Sequence, residues 1–263
     1  MDLGLKNKIA IITAASQGLG KASAMALAKE GASIVICSRH EKEISAAAEE
    51  IRRATGSSVT SFAADVTKEE DLKMLVTETK RRFGTVHILV NNAGGPPTGT
   101  IASLKDEDWQ KGHDLTLMSV VRMTREVLPI MVEQSWGRII TIVSVVAKQP
   151  INELLLSSAI RPGILGLAKV LSNLHAKDNI TVNTVCPGHI LTKRQEELAA
   201  SRGAQRNMSM EEYLKEAASL IPAGRLGKPE EIGNTVAFLA SEQASYINGV
   251  NLLVDGGAAK GIY

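Results

Sequence analysis

The chain has 263 residues, of which 44% are hydrophobic, 22% charged and only 3% aromatic, with a formal net charge of +2. That balance excludes a disordered or fibrous chain and offers no electrostatic footprint for nucleic acid or an anionic membrane. Cys37 and Cys186, the only cysteines, sit in apolar runs and read as buried thiols of a reducing, cytoplasmic compartment. The five histidines have no partners at ligand spacing, so no metal site is expected. The first residues lack the order of a secretory signal, and no run reads as apolar and long enough to span a bilayer.

Short β-branched runs alternate with longer segments of helical period. Lys8–Thr13 predicts a buried strand and Gly18–Glu30 a helix with Ala22, Ala26 and Leu27 along one face. Ser33–Cys37 is the next strand, followed by a charged, alanine-rich helix over Glu41–Ala54 and a strand over Val59–Ala64. Thr67 is placed to cap a helix reaching Phe83, with Glu70 at the capping-box position and Gly84 as the stop. Val86–Asn91 and Arg138–Val143 are strands separated by a long helix around Trp109–Glu133. A leucine-rich helix follows Ser144. Then come the strand Ile180–Cys186, a polar helical insert, a helix from Pro229 and a last strand near Val250–Val254.

Strand–helix–strand repeats need crossover connections, and continuous apolar strands suit a sheet covered on both faces. The expected fold is therefore α/β: a single Rossmann domain over residues 1–263, with a doubly wound parallel sheet of about seven strands and helices on both sides. The insert Lys193–Ile221 breaks the pattern, being polar and bounded by Pro187-Gly188 and Pro222. A lid over a binding crevice and a plain surface hairpin fit it equally well.

Thr13-Ala14-Ala15-Ser16-Gln17-Gly18-Leu19-Gly20 lies between the first strand and the first helix. Glycines there let backbone approach a pyrophosphate, and the helix start offers unpaired N–H groups. Ser38-Arg39 closes the second strand, where an acidic residue would instead hold the ribose hydroxyls of NAD. A hydroxyl and a permanent cation suit a 2′-phosphate, so NADP(H) is the expected cofactor.

That turn, Asp65-Val66, Asn91-Asn92-Ala93-Gly94, Ser144, Pro187-Gly188 and Asp255-Gly256-Gly257 resemble, in order and spacing, the short-chain dehydrogenase/reductase family, in particular its 3-oxoacyl-ACP-reductase-like members. The resemblance runs from about Lys6 to Gly257. It implies that Asp65 and Val66 contact the adenine, Asn92, Ala93 and Gly94 line the adenosine side, and Pro187, Gly188, Ile190 and Thr192 hold the nicotinamide carboxamide. It also implies a homodimer or homotetramer, paired through the helices around Trp109–Glu133 and Asn152–Leu174. Ala14 stands where the family usually has its first glycine, a departure of little cost if its φ is negative.

The catalytic set departs much further. The family works with Asn, Ser, Tyr and Lys, the last two as Tyr-x-x-x-Lys. Ser144 matches the serine. The segment Gly166-Leu167-Ala168-Lys169 fixes a register that puts Ser157 at the tyrosine position and Arg161 at the lysine position; counting from Trp109 puts Thr116 at the asparagine position. Tyr213, Tyr246 and Tyr263 all lie far downstream. Pro162 is expected to disfavour helical geometry at Arg161 and re-aim its side chain. Glu153 and His189 are the nearby alternatives as proton sources, each more simply read as a surface residue. Three readings follow: an NADP-dependent oxidoreductase for a small-molecule carbonyl or secondary alcohol, with an altered proton-transfer set; a nucleotide-binding homologue that has lost the chemistry; or a dehydratase or epimerase on the same scaffold. Pocket walls are expected from Gly95–Leu104, Val145–Ile151 and the insert.

Overall fold

The computed structural model describes residues 1–261, so Tyr263 lies outside the described residues. Seven parallel strands form one sheet: β1 (Ile9–Ile12), β2 (Ser33–Ser38), β3 (Val59–Ala63), β4 (Ile88–Asn91), β5 (Gly137–Ile142), β6 (Ile180–Pro187) and β7 (Asn251–Val254). Their spatial order is β3-β2-β1-β4-β5-β6-β7, so the chain reverses direction across the sheet between β1 and β4. In such sheets a ligand crevice opens at the carboxyl ends of the strands beside that reversal.

Period-two alternation divides each strand between two cores. Ala10, Ile12, Ile34, Ile36, Ile88, Val90 and Ile140 pack on one face, against α1 (Gly18–Lys29), α2 (Glu41–Thr55) and α10 (Pro229–Leu239). Ile11, Val35, Cys37, Leu89, Ile139 and Val182 pack on the other, against α3 (Glu69–Phe83), α5 (Ser119–Glu133) and α7 (Pro162–His175). Each fully buried Ile or Leu stabilises the fold by about 1.5–3 kcal/mol, so two aliphatic layers suffice with few aromatics. The cysteines are free and buried. Burial pushes the Cys37 thiol up to about 12 and raises that of Cys186, which leaves both protonated and inert at neutral pH.

Four local expectations are corrected. Thr67 does not cap α3. Asp65 Oδ1 accepts its N–H at 3.0 Å and its hydroxyl at 2.8 Å, which closes a turn and delays the helix to Glu69, so Glu70 completes no capping box. The helix around Trp109 begins earlier, as α4 (Asp106–His113), and passes through a π-helical turn at Asp114–Met118 into α5. Arg161 has helical φ −63° and ψ −30° despite Pro162. It joins α6 (Leu155–Ile160) to α7, and a proline at the first position of a new helix loses an N–H that would have been orphaned anyway. Finally, the continuous run Asn152–Asp178 is 27 residues long with mean hydropathy 1.5, long and apolar enough by composition to cross a membrane. Its inner face packs on the sheet, while Val170 and Leu174 stand exposed on its outer side, where the sequence expects a second copy of the chain.

Candidate active site

A cleft of about 760 Å³ opens at the carboxyl ends of the strands. Its floor begins at the turn after β1. Thr13 donates its hydroxyl to the Asn92 carbonyl at 2.7 Å and accepts the Asn92 N–H at 2.8 Å, which ties the end of β1 to the end of β4. The Asn92 side-chain amide donates to the carbonyls of Thr13 and Ala14 at 3.3 and 3.0 Å. Gly20 sits behind this latch; a Cβ there would lie 2.7 Å from the Ala14 carbonyl oxygen. Thr13 and Gly20, expected among the cofactor contacts, are therefore braces that do not line the cleft. Ser16, Gln17, Gly18 and Leu19 do line it. Gln17 makes no side-chain cap, so the first N–H groups of α1 face the cleft without a protein side-chain acceptor.

Ala14 has φ +47°, which corrects the expectation of a negative value. The turn needs a left-handed residue, and a methyl there costs roughly 1–2 kcal/mol. Ala14→Gly is expected to stabilise the protein by roughly 0.5–1 kcal/mol net of glycine's extra chain entropy, read as a higher midpoint in urea at unchanged slope.

At the adenosine end, Ser38, Arg39, Asp65 and Val66 line the cleft as expected, with Ala93 and Gly94 opposite. Arg39 is exposed there. His40 and Glu43 join them from the start of α2, contacts that sequence reasoning missed; the helix beginning at Glu41 was the available signal, since its first turn must face the end of β2.

At the other end, Ser144, Ser157 and Arg161 come together. Ser144 follows β5 and its Oγ accepts the Val146 N–H at 3.3 Å, which leaves its own proton free for a ligand. Arg161 N–H donates to the Ser157 carbonyl, so the two side chains share one helical face, both 8% exposed. The Arg161 guanidinium donates to the Val143 carbonyl, while its Nε has no partner. Burial lowers its pKa to about 10, with Arg194 pressing the same way. Thr116 lies in the π-helical turn and is not among the residues lining the main cleft; its Oγ1 is buried without a partner, beside a void of about 10 Å³ that it shares with Asn91, Thr141 and Arg161.

Pro187, Gly188, Ile190 and Thr192 complete the wall. A Cβ on Gly188 would lie 2.8 Å from the Asp255 Cα, so the residue just after β7 requires that glycine. Thr192 caps α8 (Lys193–Gln205) by accepting the Gln195 N–H at 3.3 Å. The insert is a hairpin of α8 and α9 (Met210–Ser219), and its first helix walls the cleft: Lys193, Arg194, Gln195, Leu198 and Arg202 line the cavity. Under α9 lies an adjoining pocket of about 250 Å³, walled by Val145, Gln149, Ile151, His189 and Tyr213. Tyr213 faces that pocket, Tyr246 is fully exposed, and no described tyrosine lines the main cleft. Glu153 is exposed.

The model of the family described as enoyl-(acyl carrier protein) reductase matches residues 13–259. The chain belongs to the short-chain dehydrogenase/reductase family. It is 35% identical over 255 residues to a 3-oxoacyl-[acyl-carrier-protein] reductase of Escherichia coli, covering 97% of this chain and 98% of that protein. A 3-oxoacyl-[acyl-carrier-protein] reductase of Thermotoga maritima is 32% identical over 253 residues, covering 96% and 98%. Among solved structures, the L-sorbose reductase of Gluconobacter frateurii, complexed with NADPH and L-sorbose, superposes with a TM-score of 0.96 at 35% identity over 100% of both chains. An actinorhodin polyketide ketoreductase with NADPH superposes at 0.92 with 32% identity, covering 97% and 98%. These relatives are oxidoreductases, and the seven-stranded Rossmann architecture is shared with the structural neighbours.

Proposed function

We propose that this protein is an NADP(H)-dependent reductase of small carbonyl compounds whose proton-transfer set is Ser144, Ser157 and Arg161 instead of one built on Tyr and Lys. The observation that carries the reading is a single cleft that joins those three residues to the dinucleotide-shaped wall from Ser16 to Thr192. The residues fit the coenzyme. The uncapped start of α1 and the positive-φ Gly18 suit a diphosphate, and Ser38-Arg39 suits a 2′-phosphate. Solved relatives described with NADPH support the same reading.

When bound, the coenzyme supplies hydride from its nicotinamide ring. The chain's part is to orient the carbonyl and stabilise the oxygen that gains charge. Ser144 donates a hydrogen bond to that oxygen. Arg161 adds a guanidinium in a dry site, where one preorganised donor is worth about 10²–10³-fold in rate. Ser157 cannot act as a phenol does: an alkyl hydroxyl is far less acidic than tyrosine, whose ordinary value is about 10. The proton therefore comes from water, and turnover is slow, short of the roughly 10²–10⁴-fold that a positioned acid contributes.

The test is a panel of ketones, β-ketoacyl thioesters, quinones and sugars with NADPH, followed by loss of the reduced-nicotinamide absorbance. Slow turnover on at least one class is expected. Silence across the panel with coenzyme still bound would favour the non-catalytic homologue, the second reading that the tyrosine-free cleft raises.

A further inference from the structure

The two ends of the cleft differ in charge. Its carboxylates, Glu43 and Asp65, stand beyond β2 and β3 at the adenosine end. Apart from Arg39 and His40 at that end, the other ionisable groups lining the cleft are Arg161, Lys193, Arg194 and Arg202, all cationic. Arg161 is more than nine-tenths buried, has an unpartnered Nε, and pairs with no carboxylate among the described residues. Arg194 reaches from the first turn of the lid across the mouth. A Cβ on Gly95 would lie 3.0 Å from its Nη2, and one on Gly94 4.0 Å from its Nη1, so these glycines leave the guanidinium room to lie on the backbone. Arg194 adds to the effect of burial on Arg161, and no carboxylate among the described residues offsets it.

A buried, uncompensated cation is costly unless a ligand completes it. The coenzyme's diphosphate belongs over the start of α1, at the end of β1. Arg161 is bonded to Val143 at the end of β5, two strands further along at about 4.8 Å per strand. Something anionic is wanted beside Ser144, roughly 10 Å from the diphosphate.

We propose that Arg161 from the floor and Arg194 from the lid form a carboxylate clamp, so that the site takes a small oxo acid in preference to a neutral ketone or sugar. The proposal rests on the reductase reading above and names its substrate class. A planar guanidinium matches a carboxylate two hydrogen bonds at a time. The bond from Arg161 to the residue before Ser144 puts that carboxylate within a few atoms of the carbonyl that Ser144 addresses.

The experiment uses matched pairs that differ in one charge: acetoacetate and methyl acetoacetate, pyruvate and methyl pyruvate. Each is titrated calorimetrically into the protein, alone and saturated with NADP⁺. At least one acid is expected to bind about 10- to 100-fold more tightly than its ester, as one charge-assisted pair allows. Arg194→Gln, on the exposed lid, is expected to erase most of that preference without lowering the melting temperature, and Arg194→Lys to restore part of it. Equal affinity for acid and ester, no measurable binding of either acid, or an Arg194→Gln protein that keeps the preference overturns the clamp. An Arg194→Gln protein that loses NADP⁺ affinity while keeping the preference assigns Arg194 to the diphosphate instead. If the protein binds no NADP⁺, the reductase reading fails on its own, and titration without coenzyme still decides between acid and ester.

Discussion

Replacing Ser157 by tyrosine together with Arg161 by lysine is expected to raise turnover with NADPH by more than tenfold, within the roughly 10²–10⁴-fold range of general acid catalysis. Geometry favours the exchange. Positions 157 and 161 are one helical turn apart, both face the cleft, and the Arg161 N–H to Ser157 carbonyl bond shows that the turn is unbroken. A phenol at 157 gains the proton-donating role that serine lacks, and a lysine one turn on lowers its pKa toward neutrality. Either single change is expected to give little, because the two act as a unit. Steady-state kinetics on whichever substrate class turns over measures the gain. A double variant that folds and binds NADPH yet is no faster would show that proton donation does not limit the rate.

Arg161→Met is expected to stabilise the protein while emptying the site of its innermost cation. Arg138 shows what a well-supported buried arginine looks like: it donates to the carbonyls of Gly137 and Asn179, meets Glu242 at 3.4 Å and lies 4.4 Å over the Trp136 ring. Among the described residues Arg161 has the Val143 carbonyl and no carboxylate. An apolar side chain of similar volume should thus raise stability by about 1–4 kcal/mol, or roughly 2–4 °C in Tm for each kcal/mol. The sign of the pH dependence follows. Below about 10 the folded protein carries this charge under a desolvation penalty. Above it, folded Arg161 releases its proton while the unfolded chain keeps one, so the penalty fades and the gap between the two proteins narrows as pH passes 10. Calorimetric melts at neutral and alkaline pH read both effects. A destabilised variant would mean that Arg161 is paid for by contacts within the folded chain.

Much of this was legible from residue pattern alone. Aliphatic runs such as Ile9–Ile12 and Ile34–Cys37 specify buried parallel strands because both faces of the sheet are covered, and the structure sorts their alternate side chains into the two cores. Of the cleft-lining residues, Gly18 and Ser38-Arg39 were legible from the strand ends they follow, whereas Asn92–Gly94 and Pro187-Gly188 came from the family resemblance. What failed were positions decided by neighbours distant in sequence or by fine backbone geometry. The positive φ of Ala14 is set by the Thr13–Asn92 latch to β4. The π-helical turn that holds Thr116 was not legible either, because the helix through it looks regular in sequence. Arg194 was missed because the lid's first turn reaches the cleft only once the hairpin folds back over Gly94-Gly95.

The measurement that bears most directly on the central claim is the affinity of the protein for NADPH against NADH, read by fluorescence titration. With Ser38-Arg39 at the end of β2 and Arg39 exposed at the cleft rim, NADPH is expected to bind at least about tenfold more tightly, the worth of one charge-assisted contact. Equal affinities, or tighter binding of NADH, would contradict it.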